Sequence, residues 1–281
     1  MALQPLGKKA TTRRRRPKRL QGVTGGSARI ASGLLADLKK LVAPMVAEMA
    51  QLAPWLASNP GAVVALGALN DQLEKWRRVL GPSIKGIAKR WASLTDERDK
   101  RKLEASLAKA LGVSATAIFD EQPVKDVVEL MGAEATHLIT TIPEVYHAKV
   151  QEAVMQSYQQ IALPDGQDLI SYISSLEDMT YERAKTIAVD QTNKMHSMVT
   201  QARQSALGIE EYIWRTSKDQ RVVGNPSGLY PVGSSKHGNH FEREGKVFRW
   251  DEPPADGHPG WAIRCRCHAE PIINYDNLNL T

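Results

Sequence analysis

Eight apolar residues, Leu34, Leu35, Leu38, Leu41, Val42, Met45, Val46 and Met49, recur at three- and four-residue steps. This spacing draws one apolar stripe along a helix, and such a helix holds its shape only when another element covers the stripe. The same texture persists across 29–178, so this part of the chain has to be a set of helices packed on one another. Breaks are expected at "NPGA" (59–62), at Gly81-Pro82, and at Gly112, Pro123 and Pro143, with a kink or division at Pro44. "PDGQD", from Pro164, reads as a turn. A last long helix is expected to start at Thr180 as N-cap and to stop at Gly208. Beyond it the texture changes. "EYIWRTS", "GKVFRW" and "CRCHAEPII" are short strand-like segments between Gly, Pro, Asn and Asp clusters. The predicted fold is therefore a mainly α N-terminal region, bundle-like, followed by a small α+β, turn-rich C-terminal module.

Charge divides the chain further. Nine Lys or Arg and no acid occur up to Arg29, leaving 28 of the 37 basic residues against 31 acids in the remainder. A nearly neutral body thus carries a cationic arm, dense at Arg13, Arg14, Arg15, Arg16, Lys18 and Arg19. Such an arm is an electrostatic footprint for nucleic acid or another polyanion; the plainer alternative is a solubilising disordered end. Three parts follow: an arm at 1–28, disordered or ordered by a partner, a helical region at 29–178, and a module at 179–281. The longest apolar run, "AVVALGAL" from Ala62, is too short to cross a bilayer, and the basic start leads into no apolar signal core.

The only two cysteines form one Cys-x-Cys, Cys265 and Cys267. That excludes a disulfide framework and favours a reducing compartment, or stability drawn from an assembly. With His240 and His258 they make an acceptable ligand set for tetrahedral Zn²⁺, although Cys-x-Cys is tighter than the usual spacing and His268 could compete. Packing is the default reading of the pair: two buried cysteines serving as small apolar residues on a short strand, with His258 bonded inside a turn. Catalytic patterns are weak. "HGNH" lacks an ordered set of acids, "SYISSL" lacks a nucleophile elbow, and no Gly-rich phosphate loop occurs. No catalytic residue is assigned.

Four segments occur in order within about ninety residues: "TYERAKTIAVDQTNK" on the last helix, "YIWRTSKDQRV" (212–222), "GKVFRWDEPPADGHPG" (245–260) and "RCRCHAEP" (264–271). Together they resemble the phage Mu F-like family of minor head, or head morphogenesis, proteins. In that family Asn commonly precedes the first cysteine, where Arg264 stands here. A Cys or His also follows the Asp-x-Arg more directly than it does here, where "VGNPSGLYPVGSSKHGN" is inserted. His240, rather than His237, keeps the family's distance to Gly245. The resemblance implies a structural component of a tailed-phage head near the portal vertex, assembled in the host cytoplasm and acting in head assembly or in genome packaging and delivery. Its partners would be the portal or major capsid protein, with packaged double-stranded DNA on the basic arm. Trp214, Asp219, Arg221, Trp250, Pro253 and Pro254 are the motif residues expected to be structural. Asp219 and Arg221 would brace the module, and the tryptophans would anchor a core or interface. Two rivals belong to other classes: a metal-dependent hydrolase or nuclease built on Asp219, His240, Asp251 and His258, and a host nucleic-acid-binding protein.

Overall fold

The computed structural model describes residues 18–19, 25–111, 122–234, 238–274 and 278. Four long helices form the body: α1 (Ala28–Ala57), α2 (Ala62–Leu111), α3 (Gln122–Tyr158) and α4 (Leu169–Ala206). Ser27 caps α1 by accepting from the Ile30 amide at 3.3 Å. The predicted stripe is buried where it faces α4 and α2: Leu34, Leu38, Val42, Met45, Val46 and Met49 all lie in the main core. The "NPGA" break is real, with Asn59 and Gly61 at positive φ.

Proline proves a poor guide to the boundaries. α1 is not divided at Pro44, α2 runs through Gly81-Pro82 without stopping, and α3 is one helix across Pro143. The reason lies in the core. Leu80 and Ile84 flank Pro82 on a single buried face, as Ile142 and Tyr146 flank Pro143. Packing of that face outweighs one missing N–H bond per proline. Pro123 falls in the first turn of α3, where no intrahelical N–H is needed. Gly112 lies outside the described residues.

The start of α4 is likewise earlier than expected. Asp168 is the N-cap, accepting from Ser171 N at 3.0 Å, while Thr180 sits mid-helix with its hydroxyl donating to Leu176 O at 2.8 Å. The division drawn at residue 178 therefore falls inside α4. The helix ends as predicted, with Gly208 at φ 73°.

Each of the three strand-like segments contains a strand, although Cys265 and Cys267 lie in the loop before the third and not on it. β2 (Glu211–Arg215) is central, β3 (Val247–Arg249) lies on one side of it and β4 (His268–Ile273) on the other, all antiparallel. Trp214 stands opposite Ala269 across the β2–β4 pair. The arm's last basic residues, Lys18 and Arg19, form a short strand β1 at the outer edge of β4. Arg13, Arg14, Arg15 and Arg16 lie outside the described residues. Strand alternation turns Tyr212 and Trp214 to one face of the sheet, where they meet Trp250, Ala262, Cys265, Cys267 and Ala269 in a core of their own. That core is separate from the helical one. Side-chain bonds tie the two together along α4: Ser197 Oγ donates to Pro259 O at 2.5 Å, and Trp250 Nε1 donates to Gln204 Oε1 at 3.0 Å. Among the described residues no helix is long and apolar enough to cross a membrane.

Candidate metal centre

The insertion that separates Asp219 from His240 ends in a local structure that aims the imidazole. Asn239 caps a four-residue helix α5 (His240–Arg243), accepting from Glu242 N at 3.1 Å. Gly224, at φ 86°, lies against Asn239 so closely that any Cβ there would sit 1.9 Å from the amide oxygen. His240, at the start of α5, is buried. Its Nε2 lies 3.0 Å from Asp256 Oδ2, so its Nδ1 points the other way, 3.5 Å from Cys265 Sγ and 3.6 Å from Cys267 Sγ. The two cysteines are two residues apart in the loop that leads into β4, and both sulfurs face the same imidazole nitrogen. The three donor atoms lie within 4.8 Å of one another and all three residues are buried.

The surroundings hold this arrangement in place. Asp256 accepts from Gly238 N at 2.9 Å and pairs with Arg243 Nη1 at 2.8 Å. Burial opposes its ionisation, but the bonds from Arg243 and His240 hold its carboxyl below the usual range. The Arg243 guanidinium lies over the Trp214 ring, 4.8 Å from its centroid, and the His240 ring meets Trp214 edge-on at 5.1 Å. Gly260 N donates to Cys265 Sγ at 3.4 Å. The bond from Cys267 and the neighbouring His240 push the Cys265 thiol well down despite burial. Cys267 is pushed up by that same bond and by burial, with the Trp214 N–H acting in the opposite direction.

His258 does not join the cluster, which corrects the four-residue ligand set. The Tyr212 hydroxyl lies 2.9 Å from its Nδ1, its Nε2 is 3.4 Å from Gln201 Nε2, and its ring stands edge-on to Trp250 at 4.8 Å. Its ring is bonded to β2 and α4, not inside its own turn as the packing alternative had it. The turn is pinned to α4 by Ser197, and within it His258 faces Tyr212 and not the cysteines. His268 is also outside the cluster, because strand alternation turns it to the face opposite Cys267. His237 lies outside the described residues.

The other motif residues are engaged in bracing. Asp219 accepts from the Arg221 amide at 2.9 Å, pairs with the Arg221 side chain at 3.6 Å, and accepts a short bond from Arg266. Trp214 and Trp250 are core, as expected. Pro254 O accepts from Gly257 N at 2.8 Å, closing the turn that carries Asp256, and Pro253 precedes it. Arg264 adopts φ 57°, a left-handed conformation that Asn enters more readily than Arg. Two bonds to α4 hold Arg264 there: its amide donates to Asp190 Oδ1 at 3.1 Å and its guanidinium to Thr186 Oγ1 at 2.6 Å. The hydrolase set does not assemble. Asp251 is exposed and paired to Arg249, and His258 is on the other side of Tyr212.

Sequence reasoning missed Asp256, Arg243 and the Gly260 amide. Asp256 stands two residues before His258 inside a quoted motif, but nothing in the local pattern directs it to His240, 16 residues back.

The trio lines a pocket of about 550 Å³, with Lys185, Arg221, Tyr230 and Arg264 among its other walls. Among the described lining residues there is no carboxylate.

No protein-family model matches the chain, and no solved structure matches it. A curated relative, an uncharacterized protein of Haemophilus influenzae, is 31% identical over 214 residues, which cover 75% of this chain and 44% of that protein. The chain thus spans less than half the length of the curated relative it matches. A match of 214 residues is longer than 179–281, so it takes in part of the helical body as well as the module.

Proposed function

We propose that this chain is a structural minor head protein of a tailed bacteriophage, seated at the portal vertex and acting in head assembly or in packaging and delivery of the genome. One observation carries the reading beyond the sequence resemblance: the four motif segments converge on a single module and bond to one another. Arg264 reaches α4 through Asp190, Pro259 reaches it through Ser197, Arg266 holds Asp219, and Tyr212 holds His258. Polar residues that a hydrolase would need free, Asp219, Asp251 and His258, are engaged in these and similar bonds. That favours a scaffold over an enzyme. Co-expression with a tailed-phage portal protein, and no other head component, is expected to yield a complex that survives moderate salt. Failure to co-purify at any salt would remove the portal from the proposal.

The arm engages packaged DNA in this reading. Because β1 pairs Lys18 and Arg19 with β4, deleting the whole arm would also strip a strand from the sheet. Replacing Arg13, Arg14, Arg15 and Arg16 by Gln avoids that. The native chain should bind duplex DNA with a log-log salt slope of roughly −4, and the quadruple variant should lose about half of it or more. An unchanged slope would refute the assignment.

A further inference from the structure

Two thiols and one imidazole nitrogen turned towards a common point, out of water, need an explanation that packing alone does not supply. Cysteines used as small apolar residues have no reason to converge on a polar ring atom. His240 likewise has no need of a carboxylate fixed behind it. The distances are informative. Zinc binds sulfur at about 2.3 Å and imidazole nitrogen at about 2.0–2.1 Å, so a tetrahedral centre separates a sulfur from a nitrogen ligand by roughly 3.6 Å. His240 Nδ1 lies 3.5 Å from one sulfur and 3.6 Å from the other.

The outer contacts have the same sense. A zinc-bound histidine generally donates its other ring N–H to a carboxylate, which fixes the ring and its tautomer. Asp256 occupies that place and is itself held by Arg243 and Gly238. Bound thiolates accept N–H bonds, and Gly260 N supplies one to Cys265. The Trp214 indole N–H is buried with no hydrogen-bond acceptor among the described residues, and Trp214 shares a core with Cys267, whose thiolate could satisfy it. Gly260 adopts φ 93°, and a Cβ there would come within 3.0 Å of Ser197 Cβ, so the loop that presents this amide depends on glycine.

We propose that His240, Cys265 and Cys267 bind one zinc ion, with Asp256 as the residue that positions the imidazole and with the fourth coordination place open to the adjoining pocket. Three protein ligands plus one exchangeable place is a known zinc arrangement, and the three donors line that pocket together. The ion clamps α5 to the loop that leads into β4, so its binding free energy becomes folding free energy of the module. The centre stands whether or not the chain belongs to a phage head.

The full chain, purified under reducing conditions without chelator, should carry about one zinc per chain, and chelation should lower its melting temperature. Cobalt replacement should give thiolate-to-metal absorption that disappears in Cys265→Ser and in Cys267→Ser but persists in His258→Gln. Asp256→Asn should keep the one-to-one stoichiometry at saturating cobalt while weakening affinity by about 10–100-fold. Added imidazole should shift the cobalt spectrum by taking the fourth place. Where the cysteine variants do not fold, zinc content, the chelation shift and Asp256→Asn remain decisive. Less than a tenth of an equivalent after incubation with zinc chloride would overturn the site, as would equal binding in the cysteine variants. Rapid alkylation of Cys265 by iodoacetamide in the untreated protein would replace it with a Cys–His nucleophile. A cobalt spectrum indifferent to imidazole would overturn the open fourth place, and full affinity in Asp256→Asn would remove that residue's positioning role.

Discussion

Between pH 6.5 and pH 4 the folded protein should lose about 3 kcal/mol through one side chain, His147 on α3. Its ring is fully buried, and neither nitrogen has a hydrogen-bond partner among the described residues. Burial pushes its pKa down to about 4, Arg77 on α2 acts in the same direction, and Glu48 on α1 acts against both. The folded value lies below the unfolded value of 6.5, so folding requires the neutral ring. The full contribution is therefore present above pH 6.5 and is lost progressively as pH falls towards 4. Asp99 acts in a different window. Burial opposes its ionisation, but His196 and Arg98 hold its pKa below the usual carboxylate value, so its contribution disappears only at lower pH. Urea unfolding followed by circular dichroism across this range would separate the two. His147→Leu, close in volume and without ring nitrogens, should remove the His147 share of the slope between pH 6.5 and 4 and leave that of His268, which burial also pushes down to about 4. A slope unchanged in that variant would show that other groups carry the acid response.

Trp214→Ala should unfold the module and leave the helices standing. The indole is fully buried, tilted against Phe248 at 5.5 Å, edge-on to His240 and covered by Arg243. Removing such a side chain costs about 3–5 kcal/mol where the site cannot collapse, and the strand pairing on both sides of Trp214 leaves little freedom to do so. The loss should stay local, because Trp214 belongs to the module's own core and not to the one shared by α1, α2, α3 and α4. Hydrogen exchange should accelerate by roughly a hundredfold or more at the amides of β2 and β4, with α1 and α3 little changed. Trp214→Phe should fall between the two. Loss of protection in helices and strands together would mean that body and module unfold as one unit.

Local pattern was enough for the helix faces and for the strands. The stripe from Leu34 to Met49 repeats with the helix period, and the atoms that define it lie within a turn or two of one another. The stop at Gly208 and the break at "NPGA" were legible for the same reason, since a positive φ is a property of one residue. Proline misled because its cost is local while the gain that overrides it is not. Pro82 removes one hydrogen bond, but Leu80 and Ile84 on either side are buried against other helices, and no neighbouring residue announces that contact. Thr180 misled similarly: it satisfies its hydroxyl on Leu176 O inside a helix as well as it would at a cap. At the candidate centre the residue types were visible and their grouping was only partly so. Cys265 and Cys267 could be named from composition, and His240 only from the family resemblance through its distance to Gly245. Whether His258 or Asp256 faces His240 depends on how the His-Pro-Gly turn lands on α4, which Ser197 decides through one bond to Pro259. Sequence order determined which chemistry the module carries. Tertiary structure alone decided which groups meet, because a ring nitrogen takes its partner from whatever the folded loops bring within 3 Å.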